Sequence, residues 1–219
     1  MTMNFEQARR NMVEQQVRPW EVLDQRVLDL FETIQREDYV PVRYRKFAFA
    51  DLNIPLEHGE VMMKPVVEGR MLQAVDVQPG ETVLEIGTGS GFITACLAHL
   101  ASEVVSVDIH GDFTESAGRR LEEKGVDNAS LFTGDVMRGW QPEQAQDVVV
   151  VTGSVPAIPG AFQGWVNPGG RLFCITGRSP AMEAVLLTRL DATEWRRESL
   201  FETDLPPLLN SVKPPEFEF

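Results

Sequence analysis

The chain has 219 residues, 43% of them apolar and 24% charged, with a formal net charge of −13. The length and balance fit one globular α/β unit with a modest N-terminal addition, and the acidic surplus excludes broad binding of DNA or RNA, which needs a basic surface. No apolar run approaches the length of a membrane span, so no membrane partner is expected.

In chain order, residues 5–17 read as a polar helix. Asp24 can cap a second helix over 24–35, where Leu23, Val27, Leu30, Phe31 and Ile34 recur at helical spacing. Tyr39 to Lys64 contains two prolines and few regular signals, so it reads as a long extended connection crossing the main domain. Within it Arg43, Arg45 and Lys46 form a small basic cluster, read as a solvated face. A helix is expected from Pro65 to about Val75, closing an N-terminal part of residues 1–76 that carries the helices and a loop and packs on a main domain of residues 77–219.

The main domain opens with the turn Gln78-Pro79-Gly80. The apolar strand Val83-Leu84-Glu85-Ile86 follows and runs into Gly87-Thr88-Gly89-Ser90-Gly91. A helix over 93–101, a strand over 103–108 and a charged helix over about 112–124 come next. Further strands are expected at 129–132, at the four valines 148–151, and at 171–176 after a turn at Asn167-Pro168-Gly169-Gly170. The run of valines suits a central strand buried on both faces. Segments near 183–190 and 195–203 look like two strands without a helix between them, hence an antiparallel pair. The fold class is therefore α/β: a doubly wound, mainly parallel, seven-stranded Rossmann-like sheet with an antiparallel C-terminal pair and an N-terminal helical extension. The terminal Pro214-Pro215-Glu216-Phe217-Glu218-Phe219 reads as a frayed tail.

The glycine spacing separates cofactors. Dinucleotide folds want G-x-G-x-x-G, whereas this turn reads E-x-G-x-G-x-G, with Phe92 at the third dinucleotide position. A carboxylate at Glu85 repels a pyrophosphate and suits a cationic ligand. S-adenosylmethionine carries a sulfonium and an ammonium and no phosphate, and is the expected cofactor. Asp108, at the end of the second strand, is the acceptor for ribose hydroxyls, and Asp135, after Gly134 at a strand end, for the adenine amino group. The expected cofactor-binding set is Glu85, Gly87, Thr88, Gly89, Ser90, Gly91, Asp108, Ile109, Gly134, Asp135, Val136 and Thr152. No P-loop lysine follows the glycines, and Thr88 stands where a nucleophile elbow needs glycine. With no CxxC, HExxH or EF-hand loop, and three histidines scattered along the chain, no metal is expected. Cys96 and Cys174 lie in apolar segments and read as buried thiols of a reducing compartment, which makes cytoplasm the expected location.

Taken together, the chain resembles the protein-L-isoaspartate O-methyltransferases over about Met12 to Leu209. The marks are Met12-Val13-Glu14-Gln15-Gln16-Val17-Arg18, Val40-Pro41 with Tyr44-Arg45, Ala48-Phe49-Ala50-Asp51, His58-Gly59, the loop Val83–Gly91, Gly134-Asp135, Val151-Thr152 with Pro156, Ile158 and Pro159, and Pro168-Gly169-Gly170-Arg171-Leu172. The resemblance implies methyl transfer from S-adenosylmethionine to the free carboxylate of an isoaspartyl residue in a damaged protein or peptide. Such relatives usually carry a threonine–isoleucine–serine run in the acceptor loop. This chain reads Gly59-Glu60-Val61-Met62-Met63-Lys64-Pro65, so Val61 and Met63 replace the two hydroxyl residues. The acceptor side then rests on His58, Met63 and Lys64. Either Lys64 or His58 orients an isoaspartyl carboxylate, or Met62 and Met63 line an apolar pocket for a different, unidentified small-molecule acceptor, or they simply pack the loop onto the sheet. A non-catalytic cofactor-binding or interaction protein is the reading from another class. The oligomeric state is not legible.

Overall fold

The computed structural model describes residues 4–211. The expected frayed tail at 214–219 therefore lies outside the described residues. The N-terminal part begins with α1 (Phe5–Met12), capped by Asn4, whose side chain accepts from the Gln7 N–H. The helix then widens into a π turn at Val13–Val17 and tightens into a 3-10 turn at Arg18–Trp20, which stops at Glu21 in the left-handed region. The single polar helix expected over 5–17 is thus a helix that changes pitch. Asp24 caps α2 (Gln25–Thr33) by accepting from the Arg26 N–H, and Val27, Leu30 and Phe31 of the expected stripe are buried.

The stretch expected as an extended connection is more structured than that. It holds a 3-10 turn at Val42–Phe47 and a small antiparallel hairpin, β1 (Ile54–Pro55) with β2 (Val61–Met62), whose tip is a second 3-10 turn at Glu57–Gly59. Elements this short leave no periodic signature in sequence. Helix α3 (Pro65–Val75) follows, with proline at its first position, where no N–H is needed.

The remaining elements are β3 (Thr82–Ile86), α4 (Phe92–Leu100), β4 (Glu103–Asp108), α5 (Gly111–Glu123), β5 (Ala129–Thr133), β6 (Gln146–Val155), α6 (Gly160–Gly164), β7 (Val166–Arg178), β8 (Ala181–Arg189) and β9 (Trp195–Thr203). They build a seven-stranded sheet in the order β5-β4-β3-β6-β7-β8-β9. The five strands from β5 to β7 are parallel, and β8 and β9 add antiparallel. The four valines of β6 are fully buried and alternate between the two faces. Val148 and Val150 join the cluster under the N-terminal helices, α3 and α4, while Val149 and Val151 join the one under α6.

The turn expected at Asn167–Gly170 lies inside β7 rather than before it. Gln146 pairs with Val166 and Val148 with Arg171, so four residues bulge out opposite Asp147 alone. Asn167 Nδ2 donates to the Asp147 carboxylate at 2.9 Å and fixes the bulge. Among the described residues, no helix is long and apolar enough to cross a membrane.

Candidate active site

Strand order reverses between β3 and β6, and an open α/β sheet offers its ligand crevice at such a switch, beyond the carboxyl ends of the strands. The glycine turn occupies that point. Gly87 has φ of +103°, and a side chain there would collide with the Thr152 hydroxyl at the equivalent point of β6. Gly91, at φ +84°, would bring a Cβ within 2.9 Å of Ala117 of α5. Both positions therefore demand glycine for conformation and for space.

Around the turn the polar side chains are tied to one another. Glu85 is fully buried, and its Oε2 accepts from the hydroxyls of Thr94 at 2.5 Å and Ser106 at 2.6 Å. Burial pushes its carboxyl up to about 8 against the opposing pull of those hydroxyls. Glu85 Oε1 is buried without a partner. The Thr88 and Ser106 hydroxyls are 2.6 Å apart, and the Ser90 carbonyl accepts from Arg120 at 2.9 Å. Asp108 takes the Gly89 N–H on one oxygen at 2.8 Å and the His110 N–H on the other at 2.9 Å. Its carboxyl is raised by burial, with the two backbone donors pulling the other way.

A cavity of about 90 Å³ sits over these groups. Its floor includes Ile86, Gly87, Val107, Asp108, Ile109 and Val136, and its walls include Gly134, Asp135 and Thr152. Leu56, Glu60 and Val61 of the hairpin cover one side, and Leu208 and Leu209 the other. Asp135 accepts from the Met137 N–H and from Asn210 Nδ2, each at 2.8 Å. A second, smaller space of about 30 Å³ shares Gly87, Gly89 and Thr152 with the first and adds Met62, Met63, Glu85, Thr88 and Ser90. Twelve separate sequence positions were expected to hold the cofactor; eleven line these two spaces, and Gly91 shapes the turn between them.

On the acceptor side, Met63 is buried against the glycine turn, whereas Lys64 precedes α3 and lines neither space. His58 stands at the hairpin tip, with its Nε2 3.0 and 2.9 Å from the two carboxylate oxygens of Asp112. The histidines are less scattered in space than along the chain, because the His58 and His110 rings stack at 4.1 Å.

Several residues of the site escape sequence reasoning. Arg36 is fully buried. It pairs with Glu68 through Nε at 2.9 Å and donates at 2.7 Å to the carbonyls of both Ala48 and Met63. It thereby pins both ends of the segment that carries the hairpin. Leu208 and Leu209 reach the cavity because the Ser154 N–H donates to the Pro206 carbonyl at 3.0 Å and the Leu208 N–H to the Ser154 carbonyl at 2.8 Å. A pair of leucines after two prolines is the available signal, and it says nothing of where the chain returns.

Over residues 7–203 the chain matches the family described as protein-L-isoaspartate(D-aspartate) O-methyltransferase (PCMT). It is 34% identical over 214 residues to a protein-L-isoaspartate O-methyltransferase of Brucella anthropi, covering 97% of this chain and 98% of that one. It is likewise 34% identical over 207 residues to one of Koribacter versatilis, covering 94% and 93%. Its fold resembles the crystal structure of a protein of Plasmodium falciparum described as a putative protein-L-isoaspartate O-methyltransferase in complex with S-adenosyl-L-homocysteine. The TM-score is 0.80 at 16% identity, over 96% of this chain and all of that one.

Proposed function

Because the chain belongs to the protein-L-isoaspartate O-methyltransferase family, we propose that it methylates the free carboxylate of isoaspartyl residues in proteins or peptides, using S-adenosylmethionine. The observation that carries this reading is a glycine cradle lined by carboxyl groups and free of cations. Glu85 Oε1 is a buried, unpartnered carboxyl oxygen beside the glycine turn, Asp108 stands at the end of the next strand, and among the described residues no lysine or arginine lines either space. Such a lining fits a cationic, phosphate-free ligand and disfavours a nucleotide phosphate.

In this reading Glu85, Gly87, Thr88, Gly89, Ser90 and Gly91 hold the methionine end, Asp108 the ribose and Asp135 the adenine, with Ile109 and Val136 against its faces and Gly134 and Thr152 shaping the walls. The oxygens of Asp108 and Asp135 that already accept one bond each keep a second lone pair for the ligand. When bound, S-adenosylmethionine supplies the electrophilic methyl group. An acceptor carboxylate is already ionised at neutral pH, so the chain needs no strong general base. Its own residues position the acceptor and exclude water. Leu56, Val61, Met62 and Met63 supply the apolar cover, and Lys64 and His58 are the candidates for orienting the acceptor carboxylate. The buried free thiols of Cys96 and Cys174 support a reducing, cytoplasmic setting.

A second reading, methyl transfer to another acceptor, is favoured by one observation. Met63 is buried where the resemblance implies a hydroxyl residue. Transfer of labelled methyl to an isoaspartyl peptide, with the aspartyl peptide as control and cofactor binding measured on the same sample, separates the two. Transfer to the isoaspartyl peptide alone supports repair. Cofactor binding without transfer turns the search to other acceptors in cell extract, and absence of transfer there leaves a non-catalytic binding protein.

A further inference from the structure

We propose that His58, Glu60, His110 and Asp112 form a site for one divalent transition-metal ion of the zinc class, and that the ion straps the β1–β2 hairpin to the start of α5. The proposal goes beyond the methyl-transfer reading and does not rest on it.

Two ligands come from the hairpin and two from the segment where β4 gives way to α5, about fifty residues on in sequence. One ligand atom from each of His58, His110 and Asp112 lies within 4.8 Å of the others. His110 Nε2 and Glu60 Oε1 are 3.8 Å apart, too far for a hydrogen bond. Around a tetrahedral zinc ion, with bonds of about 2.0–2.1 Å, ligand atoms stand roughly 3.3 Å from one another. Because a ligated ion lies in the plane of each imidazole, one of the two stacked rings must turn out of the stack to bring both nitrogens onto it.

A histidine–carboxylate pair explains part of the cluster. His58 Nε2 faces the Asp112 carboxylate, 3.0 and 2.9 Å from its two oxygens. It does not explain His110. The His110 Nε2 atom is buried and has no hydrogen-bond partner, and the ring lies flat against that of His58, with 6° between planes. A desolvated, unpartnered imidazole nitrogen costs free energy unless it finds a hydrogen-bond or metal partner. A cation is such a partner. Backbone geometry adds to the case, because His58 is held at φ 60°, ψ 10°, a region that non-glycine residues rarely adopt. Phe113 sets its ring edge-on to both histidines, at 5.4 and 5.3 Å, while His58 and Asp112 stay exposed to solvent.

Two imidazoles with two carboxylates suit zinc, cobalt or nickel better than magnesium or calcium, which prefer oxygen ligands throughout. Glu60 and His110 line the cavity of about 90 Å³ together with Leu56 and Val61 of the hairpin. An ion that engages Glu60 and His58 therefore fixes that cover in place.

The test uses full-length protein stripped with EDTA and titrated calorimetrically with ZnCl₂, with Co²⁺ as an optical probe. The expected result is one equivalent bound, with the intense visible bands of four-coordinate Co²⁺. Hydrogen exchange at residues 54–62 should slow when zinc is added. His110→Gln and Asp112→Asn should each weaken zinc binding by about tenfold or more. Asp112 is exposed at a helix start, so its variant keeps the fold even where the histidine variant does not. His99→Gln, which alters a residue lining a different cavity with Thr33 and Lys124, should bind as the parent does. No saturable binding, an octahedral Co²⁺ spectrum, or undiminished affinity in Asp112→Asn would overturn the site. Unchanged exchange at 54–62 would overturn the strap.

Discussion

The two halves of the site are built by different means. The glycine-turn half is made of local chain: β3, the turn, α4 and β4 follow one another within thirty residues, and backbone N–H groups hold Asp108 in place. The hairpin half has little local structure of its own and is held from a distance, through Arg36, Glu68 and the His58–Asp112 contact. A backbone-built cradle tolerates change in its neighbours and fixes the part of a ligand that does not vary. A side-chain-held cover can be altered by a few substitutions without disturbing the cradle, and the departures at Val61 and Met63 fall in the cover.

The largest effect should come from breaking the cover's anchor. Arg36→Ala leaves Glu68 fully buried without its cation and frees two carbonyls, so it should cost about 3–5 kcal/mol in urea unfolding. A loss below about 1 kcal/mol would mean that the hairpin half holds itself. Next comes Glu85, inside the cradle. Its carboxyl is raised to about 8, so the folded protein keeps a proton that the unfolded chain gives up near 4.5. Stability from this group is therefore full below that lower value and declines as pH rises towards 8, by at most ~1.4 kcal/mol per pH unit. The stability difference between parent and Glu85→Gln should fall across that window, and a flat difference would contradict the shift. Asp108→Ala removes an acceptor of charge-assisted hydrogen bonds and should weaken S-adenosylmethionine binding about ten- to hundredfold with little change in fold. Unchanged affinity in a titration would remove Asp108 from the cofactor site. Met63→Ser sharpens the contrast most finely. A restored hydroxyl is worth one hydrogen bond, so isoaspartyl transfer should rise about three- to tenfold in folded, cofactor-binding protein. No gain there would show that the missing hydroxyl is not what limits the reaction.

The same contrast explains what was legible in the sequence. The βαβ unit, its glycines and Asp108 are read from order and spacing because strand, turn, helix and strand follow one another directly along the chain. The valines 148–151 announce a central strand because burial on both faces leaves no alternation. Arg36 sits in Gln-Arg-Glu-Asp and looks like any solvated charge; only the return of Ala48, Met63 and Glu68 around it makes it a buried clamp. His58 and His110 become neighbours through the same return. The β7 bulge hides behind a good turn motif, because Asn167-Pro168-Gly169-Gly170 specifies a turn but not whether the strand has already begun. The acceptor cannot be read from Val61 and Met63, since an absent hydroxyl identifies no substrate.

One wall of the cavity of about 90 Å³ is a piece of extra strand. Pro207 bridges Ser154 in parallel fashion, and main-chain bonds on either side hold Leu208 against the opening. The dwell time of a molecule in the cavity is therefore tied to the peeling of a few peptide groups, which side-chain trimming at Leu208 or Leu209 leaves in place. Leu208→Pro, which deletes the donating N–H, should speed release several-fold in a stopped-flow chase where Leu209→Ala does not.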